Sequence, residues 1–328
     1  MSRIFSGIQP SGELHIGNYL GAVQNWARLQ EGRDATFFCI VDLHALTGIY
    51  EPTDLRRRRH EMAVSLLAAG LDPERCTLFF QSAVPQHAEL AWIFNTVTPL
   101  GELERQTQYK DKSARQESVI TGILTYPVLQ AADILLYHGS RVPVGEDQVQ
   151  HLELSREIAR RWNARFAADQ PYFPEPQPLL TPVRRLMGLD GQSKMSKSLG
   201  NTIGLLETRE QVWEKLRPAM TDPARQRRSD PGNPDICNIY SLHKAFSDVA
   251  TQEIVATNCR TAGWGCIECK KVLAENMEEV LVPIRRRAAE ISARPSYVND
   301  VLEDGATRAR ITAQETMRQV YERMGLTD

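Results

Sequence analysis

The sequence predicts an α/β protein built on a doubly wound parallel sheet, followed by an all-helical C-terminal half. Three observations carry this. Short apolar runs, among them 36–41 (TFFCIV) and 77–81 (TLFFQ), alternate with amphipathic segments from residue 4 to about 163. That is the pattern of buried parallel strands joined by helices. A break follows at 170–182, which holds five prolines and no helix signal. From residue 205 onward only helical spacing remains.

The 328 residues, 42% hydrophobic and 24% charged, allow one large or two medium domains with ample core. A net charge of −2 gives no bulk attraction to nucleic acid, so any RNA contact has to come from local basic patches. The opening MSRIFSG lacks the apolar region of a signal peptide, and no segment approaches the ~18 apolar residues of a membrane span. A cytoplasmic protein is expected, and its six cysteines are expected as thiols.

Taken in order, Ile4 and Phe5 open the first strand, and Gly7, Pro10, Ser11 and Gly12 form a turn. His15-Ile16-Gly17-Asn18 then leads into Tyr19, Leu20, Val23 and Trp26 at helical spacing. A strand, a glycine turn and a helix start make an anion site, because the first N–H groups have no intrahelical partner. Thr53 is expected to cap a helix over 54–69 that stops at Gly70. Segments 85–97 and 101–115 read as helices, 127–137 is helical in spacing, and 142–144 is a short strand. Residues 147–164 form a long helix whose acidic start suits its dipole. Ligands in such sheets bind beyond the carboxyl ends of the strands. Residues 7–18, 42–44, Asp133 and 145–148 fall there.

In the second half, Thr208 is expected to cap a helix carrying Val212, Trp213 and Leu216 on one face. A helix over 269–291, kinked at Pro283, and another over 297–324, ended by Gly325, complete it. The last is free to pack back on the first domain. Between the halves lies Lys194-Met195-Ser196-Lys197-Ser198, flanked by Gly191 and Gly200. A short Lys/Ser loop by itself is most simply a solvated turn. Paired with the His15 turn, it has the charges to meet a polyphosphate.

His-Ile-Gly-Asn at 15–18 with Lys-Met-Ser-Lys-Ser at 194–198 resembles the paired signatures of the class I aminoacyl-tRNA synthetases. The blocks SGIQP (6–10), VDLHA (41–45) and VPVGEDQ (142–148) narrow the resemblance to the tryptophanyl family, from residue 4 to about 271. The resemblance implies a Rossmann-like catalytic domain over 1–200, a helical tRNA (anticodon)-binding domain over 201–328, and a homodimer. It also implies a ligase in which the carboxylate of tryptophan attacks the α-phosphorus of ATP. Pyrophosphate leaves, and the aminoacyl group passes to the 2′-hydroxyl at the end of tRNA(Trp). Such chemistry needs placement and charge cancellation, with no protein nucleophile. That suits a chain with no convincing Ser/His/Asp or Cys/His arrangement.

Carried over residue by residue, the resemblance gives His15, Asn18, Lys112, Lys194 and Lys197 as the catalytic set. Asn18 stands where many class I enzymes have a second histidine. ATP is assigned to Gln9, Ser11, Gly17, Asn18, Gly145, Glu146, Asp147, Lys194, Met195, Ser196 and Lys197. Mg²⁺ accompanies it, without a dedicated protein cage. Tryptophan is assigned to Phe5, Gly7, His44, Tyr126, Gln130, Asp133 and Gln148. Asp133 lies in an apolar run, where a carboxylate is costly unless paired, and the resemblance makes it the acceptor of the indole N–H. Tyr126, Gln130 and Asp133 also reproduce the spacing of archaeal-type tyrosyl-tRNA synthetases, so tyrosine is the rival substrate. A non-catalytic RNA-binding relative is the other alternative, although such relics usually lose a phosphate-gripping lysine first.

Cys237, Cys259, Cys266 and Cys269 stand apart, the last two as C-x-x-C. Four such thiols in a helical domain point to a metal site, whereas Cys39 and Cys76, in or beside strands, read as core. A Cys₄ zinc site and a 4Fe–4S cluster both fit four sulfurs. Residues 229–269, with SDPGNPDIC and GCIECKK, resemble the subset of tryptophanyl enzymes that carry a 4Fe–4S cluster, with zinc the alternative. Arg225, Arg227, Arg228, Arg260, Lys270 and Lys271 surround the cysteines and could grip an anticodon stem-loop through phosphates, with Trp264 or Tyr240 stacking on a base.

Overall fold

A computed structural model describes residues 2–107, 109–110, 119–145, 148–180 and 186–327, with the side chain of Ser198 outside the description. Among the described residues five parallel strands form the sheet: β1 (Arg3–Ile8), β2 (Ala35–Ile40), β3 (Thr77–Phe80), β4 (Arg141–Val144) and β5 (Gln177–Leu180). Their order is β3-β2-β1-β4-β5. The chain therefore winds one way from β1 through β3 and the other way through β4 and β5, and the switch point lies beside β1.

Neighbouring residues on β2 feed opposite cores, Phe38 on one side and Phe37 on the other, as a sheet covered on both faces requires. On the Phe38 side pack α1 (Ile16–Asn18), the π-helical turn Tyr19–Val23, α2 (Gln24–Leu29) and α4 (Pro52–Ala68). Trp26 stacks on Phe38 at 4.8 Å. On the Phe37 side pack α5 (Gln86–Asn95), α7 (Thr121–Leu136) and α8 (Val149–Phe166). The short helices α3 (Asp42–Ala45) and α6 (Leu100–Glu104) follow β2 and α5.

The C-terminal half holds α9 (Arg209–Leu216), α10 (Asn238–Phe246), α11 (Val249–Arg260), α12 (Cys266–Ser292) and α13 (Pro295–Met324). Thr208 caps α9 through a capping box with Gln211, and Gly325, with φ 71°, ends α13. Leu273, Met277 and Leu281 of α12 join the core of α2 and α4. Ala306, Ala309 and Ala313 of α13 join the opposite core. This last helix lies so close to β3 that a Cβ on Gly305 would overlap the Leu78 carbonyl oxygen.

Several expectations need correction. The stretch 170–182 is not all loop, because Gln177–Leu180 pairs with β4 along its whole length. Its proline is tolerated because β5 is the edge strand. Helix α4 starts two residues earlier than expected, with Glu51 in place of Thr53 as N-cap and Pro52 in the first turn, where a missing N–H costs nothing. The helix expected over 101–115 stops after Glu104, and part of that span lies outside the described residues. Helix α7 begins at Thr121 and carries Pro127 inside it. Burial of Ile123, Val128 and Ala131 holds the turn that the proline weakens. Among the described residues no helix is long and apolar enough to cross a membrane.

Candidate active site

His15 closes the turn after β1 and is the N-cap of α1. Its Nδ1 accepts from the Gly17 N–H at 3.1 Å and the Asn18 N–H at 3.3 Å, and Asn18 Oδ1 accepts from the His15 N–H at 3.4 Å. A ring nitrogen that accepts carries no proton, so the neutral ring holds its hydrogen on Nε2, facing away from the helix end. Burial, with the charges of Lys197 and Lys194 adding to it, pushes the His15 pKa down to about 4. At neutral pH this side chain is a donor without a charge.

The second signature lies against the first. Ile16 N–H donates to the Ile203 carbonyl at 3.0 Å, and Leu205 N–H donates to the Leu14 carbonyl at 2.7 Å. His15 and Gly204 are thereby paired antiparallel. The Lys197 side chain runs across Gly12, where a Cβ would stand 3.4 Å from its Cδ and 3.7 Å from its Nζ. Met195 is 4% exposed, and its sulfur would be 3.3 Å from a Cβ at Gly17. Burial lowers the Lys197 pKa to about 8, with the Glu13 carboxylate opposing the shift and Arg58 adding to it. Gly7, Gln9 and Ser11 are exposed at the carboxyl end of β1, as is Gly145 after β4. Lys194 is exposed, and Ser196 is half-buried. Lys112, Glu146 and Asp147 lie outside the described residues.

Behind this rim, Asp133 on α7 is only 1% exposed. Its Oδ2 meets His44 Nε2 at 2.9 Å, and its Oδ1 meets Gln81 Nε2 at 2.7 Å and His87 Nδ1 at 2.6 Å. Burial favours the neutral acid, but hydrogen bonds from His44 and His87 outweigh it and hold the pKa down to about 2. Three donors leave one of the roughly four acceptor directions of an ionised carboxylate unused by these bonds.

His87 Nε2 goes on to the Tyr137 hydroxyl at 2.8 Å. Phe5, 3% exposed, stacks on Tyr137 at 5.6 Å, so its ring belongs to the core layer behind Asp133. Tyr126 faces His44 edge-on, and burial pushes its phenol up. Its hydroxyl meets His151 Nε2 at 3.0 Å, and His151 Nδ1 meets Gln148 Oε1 at 3.1 Å. Gln130, one turn beyond Tyr126, is partly exposed. Gln81, His87, Tyr137 and His151 are absent from the sequence-based site. The one local signal is His151, three residues after Gln148 on the same helical face.

The four cysteines come together. Cys237 precedes α10, Cys259 lies on α11, Cys266 and Cys269 lie in the first turn of α12, and all four line one pocket with Arg225 and Trp264. Burial and the other three thiols push Cys269 up to about 12, and Cys237 and Cys259 are raised as well. Among the described residues no three His, Cys, Asp or Glu side chains are drawn in around a single ion position. Cys39 and Cys76 are core residues.

The basic surround is smaller than expected. Lys270 is 4% exposed and donates to the Arg217 and Ala219 carbonyls at 2.7 Å each, closing the C-terminal end of α9. Arg225 braces the loop through the Trp264 carbonyl at 2.6 Å and the Arg228 carbonyl at 2.8 Å. Arg227, Arg228, Arg260 and Lys271 remain exposed.

A parallel sheet that turns at β1, with a histidine-capped helix and a lysine loop meeting at its carboxyl edge, is the arrangement of a class I synthetase. The family model described as tRNA synthetases class I (W and Y) matches residues 1–282. The tryptophan–tRNA ligase of Deinococcus radiodurans is 54% identical over 330 residues, covering 99% of both chains. That of Thermotoga maritima is 44% identical over the same share of each. A crystal structure of tryptophanyl-tRNA synthetase from Campylobacter jejuni, complexed with ADP and tryptophan, superposes with a TM-score of 0.89 at 36% identity, covering 98% of this chain and 99% of that one. This chain belongs to the bacterial tryptophanyl-tRNA synthetases of class I.

The mutual influence of Glu13, Lys197 and His15 can be read by NMR titration. Glu13→Gln removes the anion that favours charged Lys197, so the lysine should titrate below about 8. Lys197→Met removes a cation near His15, so the histidine should titrate above about 4. Values unmoved in both variants would contradict the contact.

Proposed function

We infer that this chain is a tryptophan–tRNA ligase. It activates tryptophan with ATP to tryptophanyl-adenylate, releasing pyrophosphate, and then transfers tryptophan to tRNA(Trp). The observation that carries the reading is the direct contact of the His15 turn with the 194–198 loop, in a chain matched end to end by tryptophan–tRNA ligases.

In this reading His15 offers its neutral Nε2–H to a phosphate oxygen, and Asn18 fixes the turn. Lys194 and Lys197, with Lys112, meet the charge that develops as pyrophosphate departs. Gly17 lets the adenine lie against the helix start. Gln9, Ser11, Gly145, Glu146, Met195 and Ser196 complete the nucleotide site, with Asp147 on the ribose hydroxyls. Mg²⁺ enters with ATP and is held by phosphates more than by protein. Asp133, kept ionised by His44 and His87, turns its remaining acceptor direction to the indole N–H. Tyr126, Gln130 and Gln148 line the amino-acid side, next to Gly7 and His44. A site built to satisfy a ligand N–H rejects analogues that lack it.

Purified protein should therefore show ATP–pyrophosphate exchange that depends on tryptophan, with tyrosine giving no rate above background. Exchange driven by tyrosine would transfer the assignment to the rival suggested by Gln130. Exchange with neither amino acid would favour the non-catalytic relative.

The four cysteines are assigned to a 4Fe–4S cluster, with zinc as the alternative. Four soft sulfurs around one pocket support this, and a cubane, with one cysteine per iron, does not need them to converge on one point. When bound, either metal group would cross-link the starts of α10 and α12 to α11. Arg227, Arg228, Arg260 and Lys271 are the basic surface left for the anticodon arm, with Trp264 to stack on a base. A cytoplasmic homodimer is the assembly the family resemblance implies. Protein purified without oxygen should show broad visible absorption that disappears on acid treatment with release of iron and sulfide. A colourless protein containing one zinc per chain would replace the cluster with zinc.

A further inference from the structure

The loop that carries Lys194 and Lys197 is held at its base by a side chain that is assigned to neither ATP nor tryptophan. Asn201 is 6% exposed, and each end of its amide is bonded to the loop. Its Oδ1 accepts from the Ser196 N–H at 2.8 Å, between the two lysines, and its Nδ2 reaches the Lys194 carbonyl at 3.3 Å and Asp190 Oδ2 at 2.9 Å. Its own carbonyl accepts from the Leu189 N–H at 3.0 Å.

Asp190 ties down the other limb. Its Oδ1 accepts from the backbone N–H groups of Gln192 and Ser193 at 3.1 and 3.2 Å, and its Oδ2 also accepts from the Ser193 hydroxyl at 3.1 Å. The entering strand is paired through Gly188 N–H to the Ser193 carbonyl at 2.7 Å. Gly188 has to be glycine for this arrangement, since a Cβ there would overlap the Asn201 amide. The exit from Asn201 leads straight into Ile203–Leu205, the segment bonded to Leu14 and Ile16.

We propose that Asn201, bridged to Asp190, is a positioning residue that sets the backbone between Lys194 and Lys197 over the His15 turn, and so fixes where both lysines meet the ATP phosphates. The amide acts at a distance from the reaction. It replaces the freedom of a glycine-flanked loop with one register, and the lysines inherit that register. A displacement of about 1 Å at such groups is enough to cost on the order of 100-fold in rate. The proposal rests on the assignment of Lys194 and Lys197 to the phosphates.

The test uses ATP–pyrophosphate exchange by the full-length enzyme, with thermal unfolding alongside. Asn201→Ala should lower kcat/KM for ATP by about 10- to 100-fold while KM for tryptophan stays within twofold, because the groups assigned to the amino acid lie on other elements. Asn201→Asp places a carboxylate against Asp190 and should be at least as impaired. Asn201→Asp combined with Asp190→Asn restores a donor–acceptor pair and should recover part of the loss.

Two results would overturn the clamp: ATP parameters within twofold of wild type in folded Asn201→Ala, or ATP and tryptophan parameters falling together without recovery in the double swap. Lys194→Ala and Lys197→Ala are run in parallel. If they lose exchange while Asn201→Ala does not, the clamp alone fails. If they also retain exchange, the phosphate assignment itself fails.

Discussion

Two backbone hydrogen bonds hold together the two segments on which the proposed chemistry depends. Ile16 N–H to Ile203 and Leu205 N–H to Leu14 join the first helix start to the exit of a loop near residue 200. Neither segment is a catalytic device by itself. The helix start offers N–H groups and a neutral imidazole, and the loop offers positive charge. Joined, they bring His15 and Lys197 together at the point where the sheet changes winding direction. Glycine suits both turns, because Gly12 has a φ of 134°, which L side chains rarely adopt, and a Cβ at Gly17 would stand 3.0 Å from the His15 ring and 3.3 Å from the Met195 sulfur.

The rest of the fold packs around that junction. Helix α12 packs beneath the first helices, and α13 lies against β3 on the other face, so the C-terminal half braces the sheet it follows. Asp133 illustrates the same economy of parts. A lone carboxylate at that depth would take up a proton, but His44 and His87 keep it ionised, and Gln81 helps orient it. The cysteine pocket is tied to the loop as well. Asn238, next to Cys237, donates to the Gly188 carbonyl at 2.8 Å, at the base of the same loop.

Much of this could be read in the residues, because it rests on local pattern. The strands at 36–41 and 77–81, the Thr208 cap and the Gly325 stop all depend on neighbours within a few positions. Composition misled where the decisive partner is far away. Strand β5 looks like a proline loop until β4 is beside it. Lys270 looks like surface charge until the end of α9 arrives to accept its hydrogen bonds. Gln81 and His87 look like ordinary polar residues after a strand, since nothing local announces that both will converge on Asp133. Asn201 looks like an ordinary polar loop residue for the same reason. Its importance lies in the Asp190 and Ser196 groups that folding brings to its amide.

The account stands on His15 and Lys197 acting as parts of one site, and a double-mutant cycle in ATP–pyrophosphate exchange measures that most directly. If they share one phosphate geometry, His15→Ala combined with Lys197→Ala should lose little more than the worse single variant. Losses that multiply, each residue contributing independently, would contradict it.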